Sequence, residues 1–242
     1  MVLTDNEYLY ENMKEIIDCD EYRDMNFNFY YSDRNIAFNS RYLTNDFKPI
    51  NVKGKVDEII AKYQLVLSLH CKQLFPSKLV NSVRCVNIHP GYNPYNRGWF
   101  PQVFSIINKL PIGATIHEMD ENLDSGNIIV QEKIEILSWE TSFDIYNKVQ
   151  NLEVKLLKQH LHDIIDHSYE SIYPKVEGNI NLKKDFEALC KIDLDKSITF
   201  REAIDYFRAM SFSGYKNAYF IDQEGRKVFI DINLDVVCND EV

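Results

Sequence analysis

The chain has 242 residues, a formal net charge of −10, and 45% hydrophobic and 13% aromatic residues. That is enough apolar material for a real core, in one large domain or a medium domain with a small appendage. The acidic balance argues against broad nucleic-acid binding, which needs a basic surface to meet phosphates, and no apolar run approaches membrane-spanning length. The opening M-V-L-T-D-N-E lacks the basic start and apolar stretch of a secretion signal, so a cytoplasmic protein is expected. Cys19, Cys71, Cys85, Cys190 and Cys238 are odd in number, scattered and without a C-x-x-C. Reduced thiols are expected, with neither a disulfide framework nor a zinc site.

Residues 1–4 form an apolar start suited to a first strand, and Asp5-Asn6 turn it into a helix over 7–17, where Leu9, Met13, Ile16 and Ile17 recur at helical spacing. Residues 26–31, N-F-N-F-Y-Y, alternate as a second strand. No G-x-G-x-x-G follows the first strand, so an ordinary dinucleotide site is unsupported. Residues 57–62 read as a helix, and 65–69, L-V-L-S-L, as a short buried strand. Strand, helix, strand in this rhythm predicts a parallel sheet with helices on its faces. The segment 70–76, H-C-K-Q-L-F-P, leaves a strand end, which is where open parallel sheets bind ligands.

Residues 86–99 read V-N-I-H-P-G-Y-N-P-Y-N-R-G-W. Val86 and Ile88 alternate with Asn87 and His89, and Pro90-Gly91 stop the strand. Asn87 and His89 therefore project from one face at a strand end. A proton acceptor beside a hydrogen-bond donor suits acyl transfer. A helix over 102–110 follows Pro101 and breaks at Pro111 and Gly113. A strand over 114–119 leads into D-E-N-L-D-S-G-N-I-I-V, residues 120–130, where Asp124 sits in a turn feeding a strand over 128–136. Such a turn can set a carboxylate beside His89. Asn87, His89 and Asp124 then form a set in which an incoming amine is the nucleophile and no serine or cysteine is required.

A long helix over 142–165 carries an apolar stripe of Ile145, Val149, Leu152, Leu156, Leu157, His160 and Ile164. The composition shifts near Tyr173, and 175–184 reads as a polar linker. Thr199 and Glu202 make a capping box for a helix over 199–210, followed by a turn at 211–217 and a hairpin of 218–222 with 227–232. His117 reads as a structural histidine, and His160, His162 and His167 as surface or packing residues without a metal.

N-x-H-P at 87–90 followed by L-D-S-G-x-I at 123–128 resembles the signature of enzymes that take a formyl group from N10-formyltetrahydrofolate. The likeness extends to L-F-P at 74–76 and T-I-H-x-M at 115–119, and H-P-G-Y-N-P-Y-N-R-G-W-F-P-Q-V-F at 89–104 is similar to the sugar N-formyltransferase branch, nearest to enzymes acting on dTDP-4-amino-4,6-dideoxyglucose. The resemblance implies an α/β fold: a Rossmann-like parallel or mixed sheet forming a catalytic domain over 1–174, and a small helix-plus-hairpin region over 175–242 that serves dimerisation. It implies a homodimer; no metal, nucleic acid or membrane partner is expected. Asn87 would donate to the formyl oxygen, His89 would accept a proton from the sugar amine, and Asp124 would orient His89 or the folate N10. Folate would lie against Cys71, Lys72, Leu74, Phe75 and Pro76 and against Asp120, Leu123 and Gly126. For the dTDP-amino sugar, Arg97 and Lys72 suit the diphosphate, Tyr95 and Trp99 the base or sugar, Asn93 and Asn96 the hydroxyls, and Tyr215 another wall. The rivals are a dTDP-3-amino or UDP-4-amino sugar as acceptor, a methionyl-tRNA or glycinamide ribonucleotide enzyme, and a non-catalytic nucleotide-sugar-binding protein.

Overall fold

Five short strands run parallel: β1 (Val2–Thr4), β2 (Phe29–Ser32), β3 (Phe47–Ile50), β4 (Leu65–Leu69) and β5 (Arg84–His89). After the two-residue β6 (Arg97–Gly98), the antiparallel β7 (Ile112–Glu118) and β8 (Ile128–Ile134) complete a seven-stranded sheet in the order β3-β2-β1-β4-β5-β7-β8. The structure, a computed structural model, describes residues 1–41 and 46–237, so Cys238 lies outside the described residues. Cys19, Cys71, Cys85 and Cys190 are free thiols.

Strand alternation feeds two cores. Val2, Leu67, Leu69, Val86 and Ile88 pack with α1 (Glu7–Ile17). Leu3, Val66 and Cys85 face the other way, towards Ile59 of α3 (Val56–Lys62) and Leu79 of α4 (Ser77–Val80); α2 (Ile36–Arg41) lies between β2 and β3. Burial on both faces explains why β4 is a nearly continuous apolar run. Asn6 caps α1 by accepting the Leu9 N–H at 3.0 Å, and Leu9, Met13 and Ile16 face the sheet.

The α5 helix (Pro101–Asn108) starts with proline at its first position. The 25-residue α6 (Ser142–Asp166) begins with a capping box between Thr141 and Asp144. Its buried stripe runs through Leu161; His160, assigned to that stripe from sequence, is only half-buried. Gly113, expected to break the helix before it, lies beyond the helix end and inside β7. A side chain there would come within 2.0 Å of the Glu132 carbonyl of β8, so the close strand approach requires glycine.

Residues 175–184, expected to be a linker, form a strap. Their β9 (Ile180–Asn181) pairs with β6, and the N–H groups of Arg97 and Trp99 donate to the carbonyls of Asn179 and Asn181 at 3.1 and 2.9 Å. Beyond it, α7 (Lys183–Cys190) is a helix that the sequence reading does not contain, and α8 (Phe200–Met210) opens with the Thr199–Glu202 capping box. The β10 (Tyr219–Ile221) and β11 (Lys227–Phe229) strands make the hairpin. Ala209, Met210 and Ala218 are buried against Val103 and Ile106 of α5 and Ile145 and Val149 of α6, so this region shares a core with the sheet.

Candidate active site

The register Leu69↔Ile88 and Asn87↔His117 brings three histidines together at one end of the sheet. His70 leaves β4, His89 ends β5 and His117 lies near the end of β7. The chain after β7 folds back as a turn that delivers Asp124 to them. Gly126 makes this turn close enough: a side chain there would meet the Glu118 carbonyl at 1.9 Å. Asp124 itself is left-handed, with φ of +50°, a conformation aspartate tolerates better than most residues.

The Asp124 carboxylate is held from several sides. Its Oδ1 accepts from Asn87 Nδ2 at 3.1 Å, and its Oδ2 accepts from the Gly98 N–H at 3.0 Å. Asn93 Nδ2 donates to the Asp124 backbone carbonyl at 3.0 Å. His89 Nδ1 lies 3.6 Å from Oδ2, and His117 Nε2 lies 3.7 Å from Oδ1. Burial alone would favour the neutral acid, but His89, His117 and the Gly98 N–H together hold the carboxyl well below the usual carboxylate range.

Burial acts in the other direction on His89. Its side chain is 4% exposed, and desolvation lowers its pKa to about 4 despite the nearby Asp124 carboxylate. The imidazole is therefore neutral at pH 7. Its Nε2 is buried and has no hydrogen-bond partner among the described residues. Gly91 packs over that atom; a side chain there would approach Nε2 to 2.5 Å. With Nδ1 turned towards Asp124, Nε2 is the free lone pair, the arrangement of a general base. His117 differs. Its Nδ1 donates to the Glu118 carbonyl at 2.6 Å, which leaves Nε2 to accept from Asn87 Nδ2 at 3.3 Å. His117 is thus hydrogen-bonded, as a structural histidine should be, yet it stands against the Asn87–Asp124 pair and helps to aim the amide.

These groups open onto a cavity of about 790 Å³. Asn87, His89, Asp124, Cys71, Lys72, Leu74, Phe75, Pro76, Asp120, Leu123, Trp99 and Tyr215 all line it. Residues outside the sequence-derived set also line it: His70, Gln73, Gln102, His117, Met119, Tyr146, Phe186, Phe212 and Asn217. Phe186, Phe212 and Asn217 come from the C-terminal region, where no local pattern marks them.

Five residues assigned to ligands from sequence do not line this cavity. Gly126 shapes the turn, as above. Asn93 is 1% exposed and fastens Asp124. Asn96 is fully buried and left-handed; its Nδ2 donates to Ser105 Oγ and its Oδ1 accepts from Asn108, Asn179 and Asn181. Both asparagines therefore hold the scaffold, while Asn93 Oδ1 is buried without a partner among the described residues. Tyr95 lies outside the cavity wall, and Arg97 lines a second cavity, of about 590 Å³, between the 120–125 turn and the strap. There Arg97 donates to the Glu177 carbonyl at 3.4 Å.

Residues 37–161 match the family model described as formyl transferase, and residues 185–236 match that of the N-formyltransferase dimerization C-terminal domain. The chain is 49% identical over 185 residues to dTDP-4-amino-4,6-dideoxyglucose formyltransferase of Mycobacterium tuberculosis, covering 76% of this chain and 79% of that one. The crystal structure of a 4-N formyltransferase from Francisella tularensis superposes with a TM-score of 0.93 at 51% identity, covering 98% of this chain and 97% of the other. A sugar N-formyltransferase from Shewanella sp FDAARGOS_354 gives a TM-score of 0.92 at 42% identity, covering 98% of both chains. With a buried neutral imidazole, an ionised carboxylate and an amide on the wall of one cavity, and these relatives over most of its length, the chain belongs to the formyl transferase family and has the fold of its sugar N-formyltransferases.

Proposed function

We propose that this protein transfers the formyl group of N10-formyltetrahydrofolate to the amine of dTDP-4-amino-4,6-dideoxyglucose. The observation that carries the reading is His89 Nε2: a buried, neutral, unpartnered base at a cavity wall, with Asn87 and Asp124 beside it. The residues around it fit a folate. Leu74, Phe75 and Met119 offer an apolar wall for a flat ring system, beside the polar turn of Asp120 to Asp124. When bound, the folate supplies a formyl group joined to a weakly basic nitrogen.

The chain's own residues do the rest. His89 Nε2 takes the proton that the sugar amine loses as it bonds to the formyl carbon, and returns it to the donor nitrogen as the bond between that nitrogen and the formyl carbon breaks. Asp124 faces Nδ1 and supports the imidazolium that results, for less than the cost of an isolated buried cation. Asn87 donates one amide hydrogen to Asp124; the other, held by His117 at 3.3 Å, is the weaker bond and is free to turn to the formyl oxygen as charge gathers there. Lys72, Trp99 and Tyr215 supply charge and aromatic faces to the nucleotide sugar.

The acceptor identity rests on the name of the 49% identical relative. The same proposal divides the chain into a catalytic part, 1–174, and a C-terminal part, 175–242, and makes it a homodimer through the segment that matches the dimerization domain. No helix among the described residues is long and apolar enough to cross a membrane; a cytoplasmic location belongs to this proposal. The test is formyl transfer from N10-formyltetrahydrofolate to a panel of dTDP-4-amino, dTDP-3-amino and UDP-4-amino sugars, read by mass spectrometry. Highest kcat/KM on the dTDP-4-amino sugar supports the reading. Preference for another acceptor corrects the sugar, and absence of product with all of them removes the activity.

A further inference from the structure

Asn6 does more than cap α1. Its Oδ1 accepts the Leu9 N–H, a group that can only donate, so the amide orientation is fixed and Nδ2 faces away from the helix. One Nδ2 hydrogen goes to the Tyr146 hydroxyl oxygen at 2.9 Å, and the other to His70 Nδ1 at 3.2 Å. Because Nδ1 accepts, the ring N–H of His70 is at Nε2. That N–H donates to Glu153 Oε1 at 2.8 Å, on a side chain of α6 with no exposure. The network is directional from the α1 backbone to the buried carboxylate.

Its consequence falls on Tyr146. The hydroxyl oxygen is already filled by Asn6, so the hydroxyl hydrogen must point elsewhere. No protein acceptor for it is found among the described residues. Tyr146 lines the main cavity and packs against Phe212, with ring centroids 5.5 Å apart, and Phe212 packs against Tyr215 at 5.6 Å. Burial pushes the phenol above its ordinary pKa, so it stays protonated. A fixed hydroxyl donor set among aromatic faces suits a sugar, whose C–H surfaces pack on rings while its oxygens accept hydrogen bonds.

We propose that Tyr146 binds the acceptor substrate by donating its hydroxyl hydrogen to an oxygen of the amino-sugar nucleotide, and that Asn6, His70 and Glu153 are positioning residues that fix the direction of that donor. The inference rests on the formyl-transfer reading above. Tyr146→Phe keeps the ring and removes the donor. It raises the acceptor Kd, measured by titration calorimetry with dTDP-4-amino-4,6-dideoxyglucose, and the acceptor KM by about tenfold, and leaves the folate KM within about twofold. Asn6→Asp still caps α1 but presents an acceptor where the donor stood, which captures the Tyr146 hydrogen. It weakens the acceptor by the same factor, and Asn6→Asp combined with Tyr146→Phe is no worse than either alone.

An unchanged acceptor Kd in Tyr146→Phe, a loss confined to folate, or full additivity in the double variant overturns the proposal. Wild-type turnover together with an unaltered Tyr146→Phe affinity sinks this proposal alone. Acceptor binding without turnover in the wild type sinks the functional reading but leaves the Kd comparison valid. Failure of the wild type to bind the acceptor sinks both.

Discussion

His70 and His89 leave neighbouring parallel strands side by side, and each faces a buried carboxylate on another element. Around His70 the bonds are closed: Nε2 meets Glu153 at 2.8 Å and Nδ1 meets Asn6 at 3.2 Å. Around His89 they are open: Nδ1 stands 3.6 Å from Asp124, and Nε2 meets nothing among the described residues. The carboxylates differ in the opposite sense. Asp124 receives Asn87 and the Gly98 N–H and stays ionised, whereas burial raises the Glu153 carboxyl and one of its oxygens has no partner. The same two residue types thus make a scaffold at one strand end and a poised base at the next. What separates them is which partner has its hydrogen bonds filled.

The strongest way to break this contrast is His89→Asn. If His89 is the base, turnover falls by about 10²–10⁴-fold while the circular dichroism spectrum and unfolding midpoint stay close to wild type. A rate within tenfold of wild type would make His89 no more chemical than His70. The opposite profile is expected at the closed pair. Glu153→Ala leaves the His70 N–H unpaired in a cavity, and urea unfolding should show a loss of roughly 2–5 kcal/mol. A loss below about 1 kcal/mol would mean that the pair is not part of the scaffold.

How far this was legible in the sequence follows from the range of each interaction. Asn87 and His89 share a strand face by simple alternation, and Asp124 sits in a turn between two readable strands, so their meeting could be inferred from local pattern. β3 could not, because F-K-P-I carries a lysine and a proline; the sheet tolerates them because β3 is its edge strand. The strap reads as a linker because its partners, the β6 backbone and the Asn96 side chain, lie more than 80 positions away, beyond the reach of any local pattern. Asn93 and Asn96 look like ligand-reading polar residues in a loop. Only the structure shows that their partners are Asp124, Ser105 and the strap. Asn6 was visible as a helix start, but its second set of bonds, to residues 64 and 140 positions away, was not.

The finest test of the contrast is the pH dependence of stability. His89 has a pKa of about 4 in the folded protein against 6.5 for an unperturbed imidazole. Between those values the unfolded chain binds a proton that the native protein refuses, so stability falls as pH falls. Glu153 acts with the opposite sign: its raised carboxyl lets the native protein take up a proton before the unfolded chain does, and stability is gained on acidification. Asp124 contributes little between pH 7 and pH 5, because its carboxyl stays ionised in the folded protein and the ordinary value of 3.8 lies below that window. The difference between wild type and His89→Asn therefore isolates the imidazole. Urea unfolding at pH 7 and at pH 5 should show the wild type losing about 2 kcal/mol more than the variant. Equal losses would mean that His89 is solvated or protonated in the native state, and that the open pair and the closed pair do not differ in the way their geometry implies.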